Sequence, residues 1–372
     1  MKISATKIKE FGQSIGLDLI GVTSADLFPE YMETIQNRIE NNLIPSKLQQ
    51  EWDILNKPQF YSDPKSLLPK ARSIISIGIN YFISDEVDSS RSGEPCGVIG
   101  RHYWRDFYGE LRRKRGKVIE FLESKEIRCS KDFNLPHKLV AQRAGIGWYG
   151  KNCVIQTEEY GSWAIFFSII TDTNLEIDAP IIRDCGSCNE CMEACPTQAI
   201  IGPYEIDLNK CITHLTATTS IIPIELRSSI GNRINSCDRC QEVCPNNRNI
   251  KSTRKSYPNP RQSWGVSPPL IPILDISEQE FQKSFASLEW YEPKLEYFKR
   301  NVSISLGNIG DPIAVTALKK TLQDSESIVR SHAAWALGKI GGDKAKKSLI
   351  EASREECDYI VSKEIDYALE II

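Results

Sequence analysis

Eight cysteines crowd into the 60 residues from Cys185 to Cys244, most of them two or three residues from the next. The first run, Cys185-x2-Cys188-x2-Cys191-x3-Cys195-Pro196, has the spacing of a bacterial two-cluster ferredoxin, and Cys237-x2-Cys240-x3-Cys244-Pro245 is a partial second copy. Short loops let three neighbouring thiolates converge on one iron-sulfur cubane. The fourth, displaced by three residues and followed by proline, turns toward the other cluster. This crossing puts Cys185, Cys188, Cys191 and Cys244 on one 4Fe-4S cluster and Cys195, Cys237 and Cys240 on a second, with Cys211, between the runs, as the eighth thiolate. Zinc is the competing reading, because four thiolates suit it too. The crossed spacing with two Cys-Pro pairs favours iron and sulfide. Cubanes capped by thiolate at every iron carry single electrons and leave bond chemistry to another group.

The elements that must hold these cysteines follow from periodicity. Residues 4–17 predict an amphipathic helix, Leu19 to Val22 a strand, and Ser73 to Phe82 a second strand after Pro69, which is an α/β start. Helices follow over Phe107 to Lys125 and His137 to Ala144, then strands over Asn152 to Thr157 and Gly161 to Thr171 around a turn at Glu159-Tyr160-Gly161. The cysteine region builds little apolar core, so clusters must supply much of its stability. Ser256 to Pro272, rich in proline and polar residues, reads as a linker. Beyond it Leu306-Gly307-Asn308-Ile309-Gly310-Asp311 recurs as Leu337-Gly338-Lys339-Ile340-Gly341-Gly342-Asp343, a period of 337 − 306 = 31 residues. Helix, glycine-marked turn and second helix (Ala314 to Leu322, Lys344 to Ala352) form the pattern of HEAT-like repeats. So few units are expected to pack on the rest of the chain and present one binding face; a plain helical cap is the alternative.

At 372 residues the chain has room for more than one domain, and its apolar and charged fractions are those of a soluble globular protein. No basic leader with an apolar core opens it and no apolar run reaches the roughly 18 residues of a spanning helix, so a cytoplasmic, non-membrane protein is expected. A net charge of −3 makes any nucleic-acid contact a local matter. Arg112 to Lys117 and Arg248, Lys251, Arg254 and Lys255 are candidate phosphate contacts, with solvated charge as the alternative. Cys96, Cys129, Cys153 and Cys357 stand alone and read as small buried hydrophobes.

Gly145-Ile146-Gly147-Trp148-Tyr149-Gly150 spells the dinucleotide fingerprint, but a helix precedes it and a strand follows, the reverse of the context that brings pyrophosphate to a helix N-terminus. The glycines read instead as a tight loop beside a large flat cofactor, or as a simple helix-to-strand turn.

Taken together, Asp63-Pro64 with Leu67-Leu68-Pro69, Arg101 ahead of Asp106-Phe107-Tyr108, Arg143 to Asn152, Gly161-Ser162, the cysteine set, Gly231-Asn232-Arg233 and the repeat tail from Arg300-Asn301-Val302 resemble the cobalamin-dependent epoxyqueuosine reductases, which reduce epoxyqueuosine to queuosine at the wobble position of certain tRNAs. The resemblance covers most of the chain. It implies an α+β protein of three parts: a nitroreductase-like α/β cobalamin domain (1–178), a double 4Fe-4S ferredoxin-like domain (179–255) and HEAT-like helical repeats (273–372). It further implies base-off cobalamin, cofactor contacts from Arg101, Gly145, Gly147, Trp148, Lys151, Asn152 and Asp238, a tRNA anticodon stem-loop on the repeats, an external electron donor such as a flavodoxin or ferredoxin, and a monomer. The histidines, His102, His137, His214 and His332, offer no Asp-x-His-x-x-Gly cobalt-ligand motif, in keeping with that cofactor and equally with its absence.

One stretch departs from the family. Its catalytic acid lies in an Asp-Ser/Thr-Gly/Ala-Pro motif ahead of the glycine loop, whereas this chain has Lys131-Asp132-Phe133-Asn134-Leu135-Pro136-His137, and Tyr61 replaces the usual arginine. Asp132 after a local shift, or His137, is then the proton donor, or the reaction differs. A cobalamin reductase of a small molecule and an electron-transfer protein without its own substrate remain the rival readings.

Overall fold

The computed structural model describes residues 3–51, 62–84, 93–130, 135–217, 221–251, 264–285 and 294–372. Two compact units emerge, each assembled from three stretches of chain. The first comprises Met1–Ser84, Asp106–Asn209 and Arg239–Lys255; the second comprises Asp85–Arg105, Lys210–Asp238 and Ser256–Ile372. The cysteine segment is shared between the two: 179–209 and 239–255 join the first unit and 210–238 the second.

The first unit is built around a sheet of β1 (Leu19–Ser24), β2 (Ser73–Asn80) and β3 (Ala164–Thr171), in that order and antiparallel throughout. Every residue of β2 and β3 is buried, so these strands are near-continuous Ile and Phe runs without alternation. Helix α1 (Ala5–Ser14) starts at Ser4, whose Oγ accepts the Lys7 amide, and stacks Phe11 on Phe121 of α2 (Phe107–Glu123) at 4.1 Å. Asp106 caps α2 through the Gly109 amide at 2.9 Å, and α2 turns Phe107, Leu111, Val118, Ile119 and Leu122 inward. Each such apolar side chain contributes about 1.5–3 kcal/mol on burial. Helix α3 (His137–Arg143) buries Leu139 and Val140 against Phe28, Ile74 and Ile170. The elements expected from periodicity are thus present, within a few residues at their ends.

In the second unit, α4 (Leu295–Ile309), α5 (Val315–Thr321), α6 (Ser327–Ile340), α7 (Asp343–Ser353) and α8 (Tyr359–Glu370) form the repeats, with α4 packed on α6 and α6 on α8. Gly310 ends α4 at φ 74°, a left-handed turn that glycine makes without strain.

Buried polar side chains fasten α4 to the segment that carries Cys211 and leads to Cys237. Arg300, fully buried, donates to the carbonyls of Leu215 at 3.0 Å and Thr216 at 3.2 Å. Asn301 Nδ2 donates to the carbonyls of Thr216 at 2.7 Å and Ile234 at 2.9 Å, and Asn308 Nδ2 to those of Arg227 and Gly231. Within that segment Thr213 Oγ1 meets Ser236 Oγ at 3.3 Å and donates to the Cys237 carbonyl at 3.5 Å. The repeats therefore pack on other chain, as expected.

Arg227 and Glu364 form a two-pronged pair at 2.7 and 3.0 Å with side chains 1% and 7% exposed. Arg227→Ala strands a buried carboxylate, and loss of one partner from such a pair costs about 3–5 kcal/mol. We expect a correspondingly lower urea midpoint, with Arg227→Met/Glu364→Leu recovering most of it; a single variant as stable as the parent refutes the pair's role.

The stretch expected to be a linker behaves otherwise where it is described. Pro268 accepts the Gly97 amide, Leu270 donates to Pro95, and Leu270 and Ile273 are fully buried, because prolines keep their carbonyls as acceptors and an apolar helix (Leu270–Ile273) follows. Residues 256–263 lie outside the described residues. Of the lone cysteines, Cys96 is buried, Cys129 and Cys153 are half-buried and Cys357 is exposed, so the buried-hydrophobe reading fails at Cys357, which sits in a surface loop before α8.

Candidate metal centre

Four thiols meet in the first unit. Cys185, Cys188 and Cys191 come from one loop and Cys244 from a segment more than fifty residues further on. Burial first, and then the charges of Cys185, Cys244 and Cys188, push the Cys191 thiol up to about 11; burial, with Cys185 and Cys188, raises Cys244 as well. Thiols that repel one another this way need a shared cation to exist as thiolates, which iron of a cluster supplies. Among the described residues no three His, Cys, Asp or Glu side chains form a group that would hold one metal ion. Cys195 Sγ accepts the Ala199 amide at 3.2 Å. Cys240 also belongs to the first unit, and Cys211 and Cys237 to the second.

The loop geometry is held from outside. Gly186, at φ 48°, donates to Asp184 Oδ1, and the Cys188 amide donates to the Cys185 carbonyl. Lys151 Nζ donates to the Gly186 carbonyl at 2.8 Å and to Asn189 Oδ1 at 2.9 Å. Lys151, expected at a cofactor, thus holds the first cysteine loop. Asn152 Nδ2 reaches the Cys240 carbonyl at 3.4 Å. Asn247 accepts the Ser162 amide and donates to Ser162 Oγ and to the Gln241 carbonyl, while Tyr81 donates to Gln241 Oε1 at 3.0 Å. Residues 239–247 are clamped from several sides.

Sequence reasoning missed Gln156. It ends the small hairpin Trp148–Tyr149/Ile155–Gln156, is 1% exposed, and lies with Oε1 3.8 Å from Cys244 Sγ. No spacing marks it, since its meaning lies in a contact 88 residues away.

Several other expectations meet a different geometry. The space beside Gly145 and Gly147 is filled by the chain itself: a Cβ would stand 2.4 Å from the Ala179 carbonyl oxygen and 2.1 Å from that of Gln156. On that side these glycines serve the helix-to-strand turn and its close chain crossing. Trp148 is buried, with an indole N–H that has no hydrogen-bond partner among the described residues and the Arg183 guanidinium 5.2 Å from its ring. Arg101 and Asp238 of the second unit pair with each other, the Arg101 amide donating to Asp238 Oδ2 at 2.7 Å. In the basic run of α2, helical periodicity turns Arg115 inward to donate to the carbonyls of Ser168 and Ser130; Lys114 pairs with Glu110 and Arg113 with Asp106, leaving Arg112 and Lys117 as exposed positions. Arg248 pairs with Glu190 at 2.6 Å. Lys251 is exposed; Arg254 and Lys255 lie outside the described residues.

Of the candidate acids, Asp132 lies outside the described residues, as does Tyr61. The described residues on either side are fixed. The Ser130 amide donates to Ile170, Cys129 bridges Thr171, and Leu135 is buried. His137 has Nδ1 2.9 Å from Ser168 Oγ, and burial, helped by the Arg115 guanidinium, lowers its pKa to about 3. Both act against the protonated imidazole that a proton donor needs.

Residues 184–247 match a 4Fe-4S double cluster binding domain, which spans all eight cysteines, and residues 292–370 match HEAT repeats. An epoxyqueuosine reductase of Bacillus subtilis (strain 168) is 35% identical over 98% of this chain and 94% of its own length. The structure of epoxyqueuosine reductase from Bacillus subtilis with its catalytic aspartate loop swung out of the active site superposes with a TM-score of 0.89 at 34% identity, covering 99% of this chain and 98% of that one. An epoxyqueuosine reductase with an epoxyqueuosine-modified tRNA-Tyr stem loop gives 0.88 at 34% identity, covering 98% of each.

Proposed function

Since the chain belongs to the epoxyqueuosine reductase family, we propose that it removes the epoxide oxygen of epoxyqueuosine in tRNA, giving queuosine. The conversion consumes two electrons and two protons and releases water. The observation that carries the reading is the meeting of Cys244 with Cys185, Cys188 and Cys191, inside a chain alike to these reductases from end to end. Those four hold the first cluster; Cys195, Cys211, Cys237 and Cys240 hold the second. Electrons arrive singly from an external donor such as a flavodoxin or ferredoxin, and the clusters pass them on. The substrate is the stem-loop of a tRNA, and the enzyme acts as a cytoplasmic monomer.

Cobalamin is the partner proposed for the bond chemistry; when bound, its low-valent cobalt supplies the electrons to the electrophilic carbon. The residues present fit it in one respect: the Trp148 indole N–H is a buried donor with no partner among the described residues, suited to the amide rim of a corrin. Asp132 is the proposed proton donor to the departing oxygen.

Anaerobic reconstitution with iron, sulfide and cobalamin, followed by assay on epoxyqueuosine-containing tRNA, tests this. The expected result is a base-off cobalamin spectrum and queuosine in the digested tRNA. Cobalamin that stays base-on, or does not bind at micromolar concentration, leaves an electron-transfer protein. Bound cobalamin with no turnover of the tRNA points to a small-molecule substrate, the reading favoured by the altered Lys131–His137 stretch.

A further inference from the structure

The hairpin Trp148–Tyr149/Ile155–Gln156 delivers a buried carboxamide to a thiol that the cluster reading makes a ligand. Gln156 Oε1 is 3.8 Å from Cys244 Sγ, within reach of a sulfur hydrogen bond, and the residue is 1% exposed. Its Nε2 is buried with no hydrogen-bond partner among the described residues. A carboxamide buried with both N–H groups unanswered is costly, about 1–3 kcal/mol, so such an atom calls for an acceptor.

The acceptor is supplied when iron binds. A free Cys244 thiol has a proton to give Oε1. As a ligand it is a thiolate with no proton, and it only accepts. Half a turn about the terminal Gln156 bond exchanges Oε1 and Nε2, which have nearly the same shape, and brings an N–H to the sulfur. No hydrogen bond of Nε2 has to be broken for that turn. Neighbouring Asn152, 4% exposed, reaches the Cys240 carbonyl and not a sulfur, so it does not compete.

We propose that the Gln156 carboxamide donates an N–H···S hydrogen bond to Cys244 Sγ and thereby raises the reduction potential of the first cluster. A donor to a ligand sulfur draws off charge and favours the reduced cluster, which carries one more negative charge. Burial keeps water from substituting for it. Gln156 is a positioning and tuning residue; it does not touch substrate. The proposal rests on Cys244 being a ligand of the first cluster.

The test is a redox titration of the reconstituted holoprotein by EPR, comparing parent, Gln156→Leu and Gln156→Glu. Both variants are expected to keep about eight irons per chain. One of the two cluster potentials should fall, with the equilibrium constant for reduction lowered about tenfold in Gln156→Leu, which is about 59 mV for one electron; in Gln156→Glu the fall should appear only above the pH at which the buried carboxyl ionises, since the neutral acid still donates to the sulfur. The other potential should hold. Resonance Raman bands of the Fe–S(Cys) stretch should shift with the potential that falls, a signature that a packing role would not move. Full iron content with both potentials unmoved in both variants overturns the hydrogen bond. Should Gln156→Leu lose iron through misfolding, Gln156→Glu, of nearly equal shape, decides alone. Cys244→Ala separates the two readings: if it leaves the iron count unchanged, the ligand assignment fails; if it removes a cluster while the Gln156 variants titrate like the parent, only the hydrogen bond fails.

Discussion

Cys211→Ala should halve the iron, from about eight to about four per chain, keep one set of reduced-cluster EPR signals and abolish turnover. The effect is large because a cubane needs four ligands and the second run is one cysteine short, so no spare thiolate stands in. Within the second unit Cys211 immediately precedes the helix Ile212–Ala217, whose Thr213 donates to the Cys237 carbonyl, so the two cysteines of that unit sit on connected backbone. Turnover fails although the first cluster survives, since a two-electron reduction fed by single-electron carriers stops when one is missing. Iron and sulfide analysis with low-temperature EPR checks it. Unchanged iron and spectra remove Cys211 from the ligand set.

Asp132→Asn should lower turnover by about 10²-fold or more, the scale on which a general acid acts, while leaving iron content, cobalamin binding and tRNA affinity intact. His137, five residues on, is disfavoured as a donor because burial and Arg115 lower its pKa to about 3, and its Nδ1 faces Ser168. His137→Gln should therefore retain turnover within a few-fold, and the pH dependence of kcat near neutrality should not follow a histidine. Single-turnover assays on epoxyqueuosine-containing tRNA, with clusters quantified beforehand, check both. If Asp132→Asn turns over normally and a folded His137→Gln does not, the proton comes from the histidine. If both are normal, the acid lies elsewhere and an epoxide substrate loses its support.

Why some of this was legible in the residues and some was not has a physical pattern. Metal ligation shows in spacing because three thiolates reach one cluster only from short loops, and Cys185 to Cys195 declare themselves without any fold. Long apolar runs such as Ile74 to Ile79 and Ile165 to Ile170 likewise announce buried strands. What stays hidden depends on partners far along the chain. Arg115 reads as one of a basic run, yet the turn of α2 carries it to two main-chain carbonyls. Lys151 lies in the motif expected at a cofactor, and its ammonium holds a cysteine loop 35 residues on. Gly145 and Gly147 spell a nucleotide fingerprint, and their missing side chains make room for the protein's own backbone. Polar groups have no periodicity that names their partners; only distance does.

The hydrogen bonds from Arg300 and Asn301 have a consequence for how this chain can change over generations. Three main-chain carbonyls, of Leu215, Thr216 and Ile234, take their donors from the first helix of the repeats. A lineage that lost the repeats would leave them dry and unanswered beside Cys211 and Cys237, unless water or new side chains replaced the donors at once. Deletion of the tail is thus not a single tolerable step. Exposed positions of the repeats can drift while Arg300 and Asn301 on α4 cannot, so descendants can resurface the repeats far more easily than they can dispense with them.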